Sequence, residues 1–317
     1  NTGNFTLSND CVISGNDHVI VKDTLEITGA NKDMDKLVTI TAAISKRHFY
    51  MNNKDYKLIL RYVKLAGGNL YQLCGDWTTG GGSIKVDMGS VSLYSSILFN
   101  NSATNVCHGG CDCDVRAGAV SVGKSNNSPG SAKLYMYDSF ILNNSDIRID
   151  NFIFGMSGGT ISLLNSEAYI KNTKIYGNKA GMQGGGIYYT CNGEPCPALI
   201  IEDSSILNNE AVVQGGGISI TAADATTINI TRCEIAYNEV TTLNKNGYFP
   251  SGGGGGLHVS GKINIFIRES TFRANAVKMR EWPNEIFAPA QQTTLSLVNT
   301  YFKDSLNVTK NFIELNK

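Results

Sequence analysis

Along most of the chain, apolar and polar residues alternate in short runs broken by glycine and asparagine, as in Leu199-Ile200-Ile201-Glu202-Asp203 and Thr227-Ile228-Asn229-Ile230-Thr231. Period-two alternation puts successive side chains on opposite faces of a strand, so the pattern predicts strands rather than helices. No amphipathic helical pattern of useful length interrupts it, and Ala276 to Glu281 has room for one turn only.

One short motif returns seven times: Ser95-Ser96-Ile97-Leu98-Phe99-Asn100, Ser139-Phe140-Ile141-Leu142-Asn143-Asn144, Thr173-Lys174-Ile175-Tyr176-Gly177-Asn178, Ser204-Ser205-Ile206-Leu207-Asn208-Asn209, Cys233-Glu234-Ile235-Ala236-Tyr237-Asn238, Ser270-Thr271-Phe272-Arg273-Ala274-Asn275 and a degenerate Thr300-Tyr301-Phe302-Lys303-Asp304-Ser305. In the first six, a small hydroxyl or thiol residue stands two before an apolar residue (Ile97, Ile141, Ile175, Ile206, Ile235, Phe272). An asparagine follows three after it (Asn100, Asn144, Asn178, Asn209, Asn238, Asn275). A small-small-x-apolar motif precedes each copy, clearest in Gly184-Gly185-Gly186-Ile187, Gly215-Gly216-Gly217-Ile218 and Gly254-Gly255-Gly256-Leu257.

The apolar position recurs after 44, 34, 31, 29, 37 and 30 residues. A unit that varies in length but keeps its motifs is a stack of coils with loop insertions. Two or three short strands with Gly and Asn corners occupy about 25 to 30 residues, one turn of a parallel β-helix. The glycines then supply permissive bends where coils crowd, and the Ile or Phe stacks inward at the ~4.8 Å strand spacing. Asparagine tolerates a left-handed corner and stacks as an amide ladder. These recurring residues read as architecture.

Residues 80–305 carry the regular repeats, residues 1–79 read as an N-terminal cap with degenerate coils, and residues 306–317 form a C-terminal arm, all in one continuous domain. About ten or eleven coils make a rod on the order of 50 Å long. All six prolines and both tryptophans, Trp77 and Trp282, fall between motifs, where a missing backbone donor breaks no ladder.

Composition narrows the class. With 27 basic and 27 acidic side chains among 317 residues, the chain lacks the electrostatic footprint of a nucleic-acid binder. No apolar run is long enough to span a bilayer as a helix, so no membrane insertion is expected. Eight cysteines and sequons at Asn4, Asn100, Asn126, Asn143, Asn229 and Asn307 favour a secreted, disulfide-stapled glycoprotein at the cell surface or outside the cell, its leader already removed.

The paired motifs, Gly-Gly-x-Ile with Ile-x-x-Asn and, literally, Phe272-Arg273-Ala274-Asn275, resemble the repeats of the chlamydial polymorphic outer membrane proteins and the wider pectin-lyase-like group. The likeness covers about residues 80 to 305. It implies an all-β fold, a single-stranded, right-handed parallel β-helix (solenoid) with loop insertions. It leaves activity open, because the group spans adhesins, tailspikes and polysaccharide lyases or hydrolases. The chlamydial proteins also carry a C-terminal membrane barrel, and membrane insertion is not carried over as an expectation for residues 1–317.

Catalysis on such a fold works from the outside of the coils and needs carboxylates either side of a sugar bond. The polygalacturonase-like elements fail here: Asn172-Thr173-Lys174, His108-Gly109-Gly110 and Arg148-Ile149-Asp150 each lack the required partner. Asp112 and Asp114, with Arg116, are the compact acids left to hold calcium, and N-linked glycans are the other expected addition. Cys107, His108, Cys111 and Cys113 have zinc-ligand chemistry, but the Cys111 to Cys113 spacing and an oxidising compartment favour disulfides, in part to Cys74. Cys191 and Cys196 are expected to bridge, and Cys233 to be a buried free thiol. His18, His48 and His258 share no motif, and His258 is expected on the solvent side of its strand. Tyr188-Tyr189 and Tyr135-Met136-Tyr137 are candidates for an exposed aromatic ladder that stacks sugars.

The reading that follows is a non-enzymatic extracellular β-helix with a structural or adhesive role. Its partners are further copies of itself, other extracellular surface proteins, or glycans, reached through its faces or through terminal arms that lend a strand. The alternative is a polysaccharide lyase or glycoside hydrolase.

Overall fold

The computed structural model describes residues 2–14, 17–73, 80–106, 117–124, 129–148, 158–193, 195–241, 253–278, 285–288, 293–302 and 313–316. The described chain is all-β apart from one three-residue 3-10 turn, Met34–Lys36, and every strand pairing is parallel. Strands stack coil on coil into a β-solenoid built from 16-, 10- and 7-stranded sheets.

One coil shows the path. Ile187–Cys191 lies on the first wall and Leu199–Glu202 on the second, both in the 16-stranded sheet. Ser205–Leu207 lies on the third wall, the 10-stranded sheet, and Glu210–Ala211 on the fourth, the 7-stranded sheet. Ile218–Thr231 then begins the next coil as one long strand that runs along both of the first two walls. About seven turns carry all four walls, whereas ten strands stack on the third wall and eleven on the second, the ten or eleven levels expected, because the outer coils lack a fourth-wall strand among the described residues.

The core is two-sided stacking made literal. On the first wall Phe49, Ile84, Val120, Ile161, Ile187, Ile218, Leu257 and Ile286 follow one another in register, all buried. On the third wall the buried column is Ile40, Leu65, Leu98, Ile141, Ile175, Ile206, Ile235 and Phe272.

This register corrects the first copy of the motif. Leu98, not Ile97, points inward, and Asn101, not Asn100, takes the ladder position. A one-residue slip moves every side chain to the other face, and the doubled Ser95-Ser96 and Asn100-Asn101 allow either alignment locally. The other five copies stand as read, through Ile141, Ile175, Ile206, Ile235 and Phe272.

The two corner functions of asparagine fall on different residues. Asn100, Asn143, Gly177, Asn208, Tyr237 and Ala274 take the positive φ. The next residue in each case, Asn101, Asn144, Asn178, Asn209, Asn238 or Asn275, is buried and donates Nδ2 to a carbonyl of the coil before it (3.2, 3.1, 2.9, 3.0, 2.8 and 2.8 Å). The same Nδ2 donates to the next asparagine's Oδ1 at 3.0, 3.1, 2.9, 3.0 and 2.9 Å, and Asn275 ends the series on Glu285. The small residue of the motif closes the preceding corner: Ser139, Thr173, Ser204 and Ser270 each donate to the carbonyl two residues back. Cys233 does the same with its thiol. At the glycine corner, Gly215 has φ +63°, and a Cβ there would sit 2.4 Å from the carbonyl oxygen of Ile218, so a side chain would clash.

Candidate functional site

With the repeating residues spent on core and corners, chemistry is left to the outward side chains. The first wall hides them. Lys85, Ser121, Ser162, Tyr188, Ser219 and His258 form its outward column and are all buried. His258 is thus corrected: it points away from the core yet is only 1% exposed, stacked on Phe287 at 5.6 Å. Burial holds its imidazole down to about 3. Tyr188 and Tyr189 are likewise buried, Tyr189 donating to the Pro197 carbonyl, so neither joins an exposed ladder.

The second wall is open. Tyr94 and Tyr137 are register partners whose rings stack at 5.1 Å with 6° between planes, and Tyr169 continues the series at 5.6 Å. Arg61 caps it, its guanidinium 4.0 Å from the Tyr94 ring centre. Tyr135 instead turns its hydroxyl to Glu167 at 3.2 Å. Beside the rings runs an open groove of about 860 Å³ lined by Tyr137, Asp138, Tyr169, Lys171, Asn172 and Asp203.

The groove's acids are all engaged. Asn172 Nδ2 donates to Asp138 at 2.6 Å. Arg232 grips Asp203 with two bonds of 2.6 and 3.0 Å, which lowers the Asp203 carboxyl and raises the guanidinium. Glu202 accepts from Tyr169 at 2.8 Å and lies 3.7 Å from Lys171; the hydrogen bond pushes the Tyr169 phenol up to about 12. Similar pairs between neighbouring coils, Lys133 with Glu167 and Lys179 with Glu210, both at 3.0 Å, carry the balanced charge of the sequence along the axis.

A second polar cluster, not seen in the sequence, sits on the first wall near its start. Asp87 is its hub: it accepts from Tyr50 at 2.8 Å and lies 2.6 Å from Lys124 Nζ and 3.5 Å from Lys85 Nζ. Burial brings Lys85 down to about 8, and burial with the Asp87 bond lifts Tyr50 to about 12. His18 meets the Tyr50 ring edge-on at 5.5 Å. His48 is structural: Nε2 lies 3.0 and 3.1 Å from the Ile40 and Ala66 carbonyls and Nδ1 3.0 Å from the Ser83 hydroxyl.

Of the other expected sites, Cys191 and Cys196 are bridged, with Cα atoms 5.8 Å apart, and Cys233 is buried and free. Cys11 is also free and half-buried. Asn4, Asn100 and Asn143 are exposed, and Asn229 is half-buried. Cys74, Cys107, Cys111, Cys113, Asp112, Asp114, Asn126 and Asn307 lie outside the described residues. Among the described residues, no group of three or more His, Cys, Asp or Glu side chains gathers as a metal would require. Comparison with protein-family models, with curated proteins and with solved structures finds no match.

Proposed function

We propose that the protein is a non-enzymatic, extracellular β-helix with a structural or adhesive role, meeting glycans, surface proteins or further copies of itself through its outward columns. The observation that carries this reading is the second-wall groove. Tyr137 and the tilted Tyr169 ring give the groove an aromatic border for a sugar, and acids already held by Asn172, Arg232, Tyr169 and Lys171 recognise hydroxyls without being poised for proton transfer. The exposed sequons Asn4, Asn100 and Asn143 and the Cys191–Cys196 bridge support an extracellular, glycosylated setting. The Gly-Gly-x-Ile and Phe-x-x-Asn repeats support kinship with chlamydial-type and pectin-lyase-like β-helices. Retention on immobilised neutral glycans tests the reading: Tyr137→Ala is expected to lower it at least tenfold, and retention unchanged in that variant removes the groove from the account.

One observation favours a second reading, a polysaccharide lyase or glycoside hydrolase. Tyr50, Lys85 and Asp87 bring a phenol, an amine lowered to about 8 and a carboxylate together, the types of group that move protons. Product release from a panel of acidic and neutral glycans, with and without calcium, that is abolished by Tyr50→Phe or Lys85→Ala would establish it.

A further inference from the structure

The third wall is apolar on both sides. Its inward column is core, but its strands Ile97–Phe99, Phe140–Leu142, Lys174–Tyr176 and Ser205–Leu207 also carry apolar residues on the solvent face. Ile97 and Phe140 adjoin in one outward column, and Phe99, Leu142, Tyr176 and Leu207 follow one another in the next. All are half-buried by their neighbours or exposed. These residues form one contiguous apolar strip with Lys64 at one end and Glu234 at the other.

The columns are also self-complementary. The first reads Lys64, Ile97, Phe140, Lys174, Ser205, Glu234; the second reads Ala66, Phe99, Leu142, Tyr176, Leu207, Ala236. A two-fold axis along the strand direction, placed between Phe140 and Lys174, turns a second copy upside down against the first. Lys64 then faces Glu234 of the other copy, Lys174 faces the Phe140 ring, Leu142 faces Tyr176, and Phe99 faces Leu207. No like charges oppose each other in these rows. Lysines on this wall already lie over rings within one copy, Lys64 over Phe99 at 4.5 Å and Lys174 over Tyr176 at 4.9 Å, so the same contact between copies is chemically at home. Glu234 is held by Arg273 but keeps 35% of its side chain exposed, enough to meet a second cation.

We infer that the solvent face of the ten-stranded sheet is an isologous contact between two antiparallel copies of this chain, centred on Leu142 and Tyr176. The inference rests on the surface-contact reading above and names the interface it uses. Four coils of three-residue strand present on the order of 200 Å² per copy, against about 800 Å² in a stable pair. The association is therefore weak, and matters where copies are concentrated on a surface. Asn100 and Asn143, the exposed sequon residues, directly follow Phe99 and Leu142, so glycans there would stand at the edge of this face.

Sedimentation velocity on the full chain, glycosylated and enzymatically deglycosylated, from low to several hundred micromolar, is the test. The deglycosylated protein is expected to form a dimer with rising concentration. Phe99→Lys combined with Leu142→Lys, which leaves the inward column intact, is expected to abolish it. Lys64→Glu weakens it several-fold, and adding Glu234→Lys restores it. A wild type that stays monomeric, or a dimer indifferent to these changes, overturns the inference. So does a monomer that binds phosphatidylcholine vesicles and loses them in the Phe99/Leu142 variant, which assigns the face to lipid. Tyr137→Ala is expected to leave the dimer intact; lost glycan retention in these third-wall variants would fault the groove reading instead.

Discussion

Asn209 stands inside an unbroken line of amides: its Oδ1 accepts from Asn178 Nδ2 at 2.9 Å while its own Nδ2 donates to Asn238 Oδ1 at 3.0 Å and to the Ile175 carbonyl at 3.0 Å. Removing that side chain strands buried groups on the coils either side. Asn209→Ala is expected to cost about 1–3 kcal/mol. Its neighbour Asn208 is exposed with φ +54°, so Asn208→Gly is expected to be within about 0.5 kcal/mol of wild type. Urea unfolding of the pair checks the division of labour between the two asparagines; equal losses would contradict it.

Leu98 and Ile97 offer the same contrast in the core. Leu98 is 1% exposed and stacks between Leu65 and Ile141. Leu98→Ala is expected to destabilise by about 2–5 kcal/mol, whereas Ile97→Ala, on the solvent face, stays within about 1 kcal/mol. The reverse order would restore the register in which Ile97 points inward.

That slip shows what the sequence could and could not disclose. Ile141, Ile175, Ile206, Ile235 and Phe272 were legible because one motif recurs with fixed internal spacing. At Ser95-Ser96 and Asn100-Asn101 two alignments satisfy the motif equally, and the stacking of Leu98 on Leu65 and Ile141 decides between them. Tyr137 was legible as a candidate for an aromatic ladder, but its stacking partner Tyr94 and the Asp87 hub were not. Tyr50 and Asp87 are 37 residues apart, and they meet only because coils of unequal length place them on neighbouring strands. His258 was misplaced because alternation tells which way a side chain points, whereas its exposure depends on what lies over the first wall.

Acid is expected to weaken the fold through His48. Burial holds its imidazole at about 4, against 6.5 when free. A depressed histidine binds its proton more readily in the unfolded chain, so its contribution is complete above pH ~6.5 and is lost as pH falls towards ~4. The loss amounts to roughly 3 kcal/mol. His258, held at about 3, acts in the same direction. Urea midpoints between neutral pH and pH ~4.5, with the His48 ring followed by NMR, check this; titration of His48 near its free value would contradict it.

The two free thiols should differ in reach. Cys233 is 3% exposed, and burial pushes its thiol up to about 11, so alkylation is expected only as the chain unfolds. Cys11 is half-buried near the start of the third wall and is expected to react first. Mass spectrometry after a timed iodoacetamide pulse reads both; native Cys233 labelling at the rate of Cys11 would mean that its coil opens.

Residues far apart in sequence stack coil on coil along one wall. Lys64 and Glu234 lie in the same outward column, separated by Ile97, Phe140, Lys174 and Ser205. Five strand spacings of ~4.8 Å put them about 24 Å apart. Pulsed electron-spin distance measurement between labels at these two positions, in protein diluted with unlabelled copies, is predicted to give one narrow peak near that value. A broad distribution, or a peak beyond about 40 Å, which no such column permits, would contradict the solenoid and every reading built upon it.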